Sequence, residues 1–171
     1  MFDSDYRLHG KHATYAKFLK DDAKIFNYII DVYMNGAIYG LLYNKKAERD
    51  RDSKDNVNIL ASQFIERQSA CEFIYRLVML LDDSTSLTTD ERIDRAFRDD
   101  SVENNDEKMK LNMELFNSYV RGGIEQLYED FITGCTTEDD YLSRINEIVS
   151  DLKDSFETED VSLEIEKLLN F

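Results

Sequence analysis

Residues Ile25 to Tyr43, IFNYIIDVYMNGAIYGLLY, decide how this chain is read. The run is nearly free of charge inside a sequence that is 33% charged. A membrane-spanning helix needs about 20 mostly apolar residues. This run approaches that length, with Lys24 before it and Lys45 and Lys46 after it. Its polar content points elsewhere. Asn27, Asp31 and Asn35 recur every four residues, and the tyrosines are spread through the run instead of forming belts at its ends. An aspartate at the bilayer centre costs about 2.5–3.5 kcal/mol. The run therefore reads as the central helix of a bundle, with no membrane contact.

The pattern extends upstream. Phe18, Asp22, Ile25, Ile29, Val32, Gly36, Tyr39 and Tyr43 alternate steps of four and three, the spacing of one helix face. Leu19, Ala23, Phe26, Ile30, Tyr33, Ala37 and Leu41 form a second stripe. A helix apolar on more than one face is buried between several neighbours. The stripes predict one helix from about Ala13 to Asn44; its Tyr15–Tyr43 portion would be about 43 Å long at 1.5 Å per residue.

The chain has 171 residues and no proline, which suits uninterrupted helices, because proline inside a helix costs about 3 kcal/mol. Its length predicts a single helical domain over 1–171 with a substantial core. Residues 1–12 carry no strong period and read as an N-terminal arm, and the charged segment 45–56 reads as a loop. Val57 to Leu81 reads as a second long helix with Val57, Leu60, Phe64, Cys71, Ile74, Val78 and Leu81 on one face and Arg67 as the interruption. Thr88 and Glu91 form a capping-box pattern for a short helix ending near Asp99. A further helix, about Glu107 to Thr133, carries Met109, Met113, Phe116, Val120, Ile124, Leu127 and Phe131 in its stripe. Thr136 with Asp139, or Thr137 with Asp140, opens a fifth helix, and Asp160 to Leu169 reads as a short last one. No segment shows sustained period-two alternation. The fold class read from these patterns is all-α: an antiparallel bundle of four long helices and about two short ones.

Two glycine pairs fall inside these helices, Gly36 with Gly40 and Gly122 with Gly123. Each glycine costs about 1 kcal/mol relative to alanine in a helix. Such a cost is offset where another backbone packs closely, so these four positions are read as close-packing sites.

A net charge of −15 disfavours general nucleic-acid binding, which normally uses a basic face, and disfavours anionic membranes. It suits a basic protein partner or mimicry of a polyanion. Cys71 and Cys135 form neither a disulfide framework nor a metal spacing. Cys71 lies on an apolar stripe and reads as a buried thiol. With no signal-peptide pattern at the N-terminus, the expected location is the cytoplasm. His9 and His12 have a helical spacing that a metal pair could use. Gly10 between them and the absence of nearby ligands favour solvent-exposed roles. An acid-only magnesium site would draw on Asp21, Asp22 and Asp31 with Glu66 or Glu72. No nucleotide-binding, triad, zinc or di-metal motif is present, and no cofactor is expected.

Asp31 stands among apolar residues and needs a counter-ion or a raised pKa, with Arg67 and Arg76 as partners. Glu72 is spaced to pair with Arg76 along its own helix. Arg92, Arg95 and Arg98 form a basic strip on a short helix, suited to an acidic partner or phosphates. Asp31, Arg76, Arg92, Arg95 and Arg98 are thus the residues expected to touch a partner or ligand. The function expected is a non-catalytic protein–protein interaction protein, an oligomer or accessory subunit of a bacterial-type cytoplasmic assembly. The alternatives are an acidic nucleic-acid mimic that inhibits a DNA- or RNA-binding protein, and an acid-rich metal-dependent enzyme of helical-bundle type.

Overall fold

The four-residue alternation Asn56-Val57-Asn58-Ile59 has the two-residue period of a half-buried strand, too short to stand out between helical patterns. In the computed structural model, which describes residues 1–84, 86–99 and 106–158, it forms β2 (Asn56–Ile59). It pairs antiparallel with β1 (Tyr6–His9), in the register Tyr6 with Ile59, Arg7 with Asn58, Leu8 with Val57 and His9 with Asn56. Leu8 and Ile59 are buried, and the intervening polar residues lie towards solvent. The expectations of no strand and of an arm over 1–12 are corrected here, since Tyr6–His9 is a strand and α1 starts at Lys11. Phe2 is buried as well, against the rings of Phe64, Tyr75 and Phe116.

The remainder of the described chain is mostly helical. The elements are α1 (Lys11–Lys17), a π-helical turn (Phe18–Asp22), α2 (Ile29–Leu42), α3 (Ala61–Glu66), α4 (Gln68–Leu81), α5 (Thr89–Phe97), α6 (Asp106–Ile132) and α7 (Glu138–Thr158). No helix among the described residues is long and apolar enough to cross a membrane.

The expected helix over Ala13–Asn44 is divided. Its first part widens as the Ala23 amide donates to the Phe18 carbonyl, and the Leu19 carbonyl accepts from Ile25. Lys24 then takes φ 55, in the left-handed region. Asp31 starts the next helix: its carboxylate accepts from the Tyr28 amide at 3.1 Å, satisfying a donor that the first helical turn leaves open. A continuous apolar stripe concealed this capping signal. The helix expected over Val57–Leu81 is likewise divided, into β2, α3 and α4. The Gln63 side chain accepts from the Leu60 amide at the start of α3, and Arg67 leaves helical geometry at φ −116, ψ 20. Arg67 is the residue that interrupts the stripe in sequence.

The chain divides into two compact units, Met1–Asp130 and Phe131–Phe171. In the first unit, α2 and α6 cross at the two glycine pairs. A Cβ at Gly36 would lie 2.9 Å from the Val120 carbonyl oxygen, and one at Gly40 would lie 2.7 Å from the Tyr119 carbonyl carbon. One at Gly123 would lie 2.5 Å from the Gly40 nitrogen. Gly122 faces the backbone of Lys45 and Lys46 instead. The α6 helix continues through both of its glycines. Around this crossing Tyr33, Phe64, Tyr75 and Phe116 form an aromatic cluster, and the Tyr33 hydroxyl donates to Asn117 at 2.9 Å.

The segment after α2 follows the surface as a loop until β2 begins at Asn56. Its anchors are local and numerous. The Ala47 amide donates to the Ser118 carbonyl at 2.9 Å, and Asp50 accepts from the Lys11 amide at 2.6 Å, capping α1 from a distant part of the sequence. Asp55 accepts from Thr14 and pairs with Lys17. Gly10, at φ 61, brings its backbone amide to the Asp55 carbonyl at 2.8 Å and leaves room for the Asp50 side chain.

In the second unit, Thr137 and Asp140 exchange hydrogen bonds at the start of α7. Hydrogen bonds led by the Thr136 amide hold the Asp140 carboxyl down at about 2. The short helix expected at Asp160–Leu169 lies outside the described residues, as does most of the polar connection expected over Asp99–Asp106.

Candidate functional site

Helix α4 is apolar on two faces. Cys71, Ile74, Tyr75 and Val78 are buried. Burial pushes the Cys71 thiol up to about 11, which makes it an inert core group. The opposite face carries Phe73, Leu77 and Leu80 at i, i+4 and i+7. With Phe97 of α5, Glu72 and Arg76, these residues line a groove of about 470 Å³. Phe73 is 66% exposed and Phe97 49%, and the Arg76 guanidinium lies over the Phe97 ring at 5.5 Å. Leu81, expected in the core, is exposed on the same helix. Of the groove residues, the sequence points to Arg76 and Glu72 but not to the apolar ones. The i, i+4, i+7 spacing of Phe73, Leu77 and Leu80 was the available signal, overshadowed by the buried stripe.

A buried ion cluster fixes α5 against α4. Arg95 is only 7% exposed. Its Nε donates to the Met79 carbonyl at 3.1 Å, and Nη1 pairs with Asp82 Oδ2 at 3.1 Å. Asp82 also accepts from Tyr119 at 2.7 Å and Ser84 at 2.6 Å, and Lys46 Nζ stands 3.7 Å away. Burial alone would raise the Asp82 carboxyl; the hydrogen bonds from Ser84, Tyr119 and Arg95 outweigh it and hold the group at about 2. Burial and the Asp82 charge push the Tyr119 hydroxyl well up. Arg95 thus neutralises a buried acid and caps the C-terminal end of α4.

This arrangement corrects the basic strip expected at Arg92, Arg95 and Arg98. Arg95 faces inward, Arg92 donates Nε to the Leu87 carbonyl at 3.3 Å, and Arg98 pairs with Asp94 at 2.6 Å along α5. Their i, i+3 spacing does not keep them on one exposed face, because the side of α5 that turns inward carries Arg95 and Ala96, while Ile93 and Phe97 stay exposed. Thr88 and Glu91 do form the capping box at the start of this helix.

Asp31 lies at the start of α2 instead of in the middle of a buried helix, and its counter-ion is Arg67 at 3.0 Å. Arg76 belongs to the α4–α5 groove, and Glu72 accepts from Gln68 at 2.8 Å. The structure therefore does not bring Asp31 and the four arginines into one site.

His12 is fully buried, contrary to the expected exposure of the histidine pair, because α1 packs on α6. Its Nε2 lies 2.9 Å from Glu125 Oε1, which Lys11 Nζ also reaches at 3.0 Å. His12 Nδ1 has no hydrogen-bond partner among the described residues. Burial lowers the His12 pKa despite the Glu125 carboxylate. Among the described residues, no three His, Cys, Asp or Glu side chains converge as a metal-ligand set. No protein-family model, curated protein sequence or solved structure matches the chain.

Proposed function

We propose that this chain is a non-catalytic interaction protein, an accessory subunit of a cytoplasmic assembly, which receives a basic amphipathic helix of another protein in the α4–α5 groove. The antiparallel bundle read from the sequence would serve as the rigid scaffold for that groove. The observation that carries the proposal is the pair of exposed rings, Phe73 and Phe97, lining one groove with the half-buried Leu77 and Leu80. Exposed aromatic side chains grouped with an arginine are the usual anchors of protein interfaces. Helix-in-groove docking uses apolar contacts at the same i, i+4, i+7 spacing.

The net charge of −15 selects the occupant. A second copy would bring a like charge to the interface, whereas a basic helix is attracted and steered to it. The decisive test compares the wild type with Phe73→Asp. The partner captured by the wild type should be lost by the variant. A synthetic peptide from its binding region should be basic and amphipathic and should bind only the wild type. Retention of the same partner by Phe73→Asp, a neutral or acidic binding region, or dimerisation through this face would overturn the proposal.

A further inference from the structure

The loop after α2 and helix α6 bound an open cleft of about 1310 Å³, away from the residues of the docking groove. Its lining carries as many acids as bases, with Glu48 and Asp52 beside Arg49 and Arg51, but the charges are not equally committed. Asp50 is engaged by the Lys11 and Asp52 amides, and Glu125 holds both Lys11 and His12. Arg121 stands apart. Its side chain is 5% exposed, its Nε donates to the Ala47 carbonyl at 2.8 Å, and its Nη2 pairs with Glu114 at 2.6 Å. Glu114 is 68% exposed. The pair thus joins a fixed guanidinium to a glutamate that is free to swing into water. An incoming anion that takes the place of Glu114 keeps the buried Arg121 charge paired and releases an exposed carboxylate to water, so the exchange leaves no charge buried and unpaired.

Two further guanidinium groups, Arg49 and Arg51, line the loop side of the cleft and make no ion pair among the described residues. One carboxylate would satisfy one planar fork. Three forks call for several oxygens on one molecule, the pattern of linked phosphates. The overall charge of −15 does not forbid this, because screening over about 8 Å at physiological salt leaves local groups in control. The cleft exceeds the roughly 300–1,000 Å³ of common ligand sites and has room for a group beyond the phosphates.

We infer that this cleft binds a small anion carrying two or more linked phosphates, anchored by Arg121, engaged by Arg49 and Arg51, with Glu114 as the displaceable internal competitor. The test is calorimetric titration of the whole chain with tripolyphosphate at fixed 0.1 M salt. Wild type should bind, and Glu114→Gln should bind several-fold more tightly, since it removes the competing charge. The double variant Arg49→Ala/Arg51→Ala should bind about tenfold more weakly, about 1.4 kcal/mol, with an unchanged melting temperature. If that double variant melts early, Glu114→Gln decides alone: tighter binding supports the site, and unchanged binding overturns it. Absence of binding to both the wild type and Glu114→Gln overturns the inference. So does binding by a stably folded double variant that matches wild type within about twofold.

Discussion

Gly123→Ala should destabilise this protein although alanine is the better helix former. At an ordinary helix position the change would add about 1 kcal/mol of stability. At Gly123 the new methyl would sit 2.5 Å from the Gly40 nitrogen and 2.7 Å from the Gly36 carbonyl carbon. Ordinary contacts begin near about 3.5 Å, so α2 and α6 must part by about 1 Å. Both clashing groups are backbone, and no side chain can rotate away. Overpacking of this kind costs about 1–3 kcal/mol. The upper end applies where two backbones meet, and after the propensity gain a net loss of about 2 kcal/mol remains. For a chain of this size that loss lowers the melting temperature by about 4–8 °C. Gly36→Ala should cost less, since its methyl would meet the Val120 oxygen at 2.9 Å and the movable Ile124 side chain at 3.0 Å. Thermal melts and urea unfolding followed by circular dichroism measure both variants. A Gly123→Ala protein as stable as wild type, or more stable, would refute the close-crossing argument.

Asp82→Asn should cost about 3–5 kcal/mol in urea unfolding, because it leaves the buried Arg95 charge uncompensated. The Asp82 carboxyl titrates lower in the folded protein than in the unfolded chain, so its contribution is present above about pH 4. That contribution, about 2 kcal/mol, is lost as pH falls towards 2, and the asparagine variant should lack this acid limb. Gly10→Ala should destabilise the fold by forcing a methyl into the Asp50 carboxyl group at a positive φ. Combined with Asp50→Ala, it should cost less than the two single changes added together, a coupling that a double-mutant cycle reads directly. The folded His12 has a lowered pKa, so the unfolded chain binds more protons below about pH 6.5 and stability should fall on acidification. His12→Gln should flatten that decline in urea titrations run between pH 7 and pH 5, while His9→Asn should leave most of it.

The sequence disclosed the helical class, the buried Cys71 and the box at Thr88 and Glu91 because each rests on local spacing. It also marked Gly36, Gly40, Gly122 and Gly123 as unusual within helices, and the structure brings three of them to one crossing. The divisions of the long helices were harder to read. Apolar periodicity continues across residues 23–28, whereas the break is set by the Asp31 cap and the left-handed Lys24. The strands were missed because four residues of alternation become convincing only when Tyr6–His9 and Asn56–Ile59 pair across some fifty positions. Arg95 shows the same limit: its sequence neighbours suggest an exposed strip, and only the packed structure brings Asp82 and the Met79 carbonyl to it. Phe73, Leu77 and Leu80 were legible as a second stripe, but their exposure depends on which face of α4 the core takes.

The central claim is that the α4–α5 groove is an interface for another protein. A photo-reactive phenylalanine analogue placed at Phe73, with a second at Val149 on exposed α7 as control, tests it directly in cells. The Phe73 probe should form one dominant crosslink to a different protein, mapped to a basic amphipathic helix, while the Val149 probe should not. No crosslink from Phe73, a crosslink to another copy of the same chain, or equal labelling from both positions would contradict it.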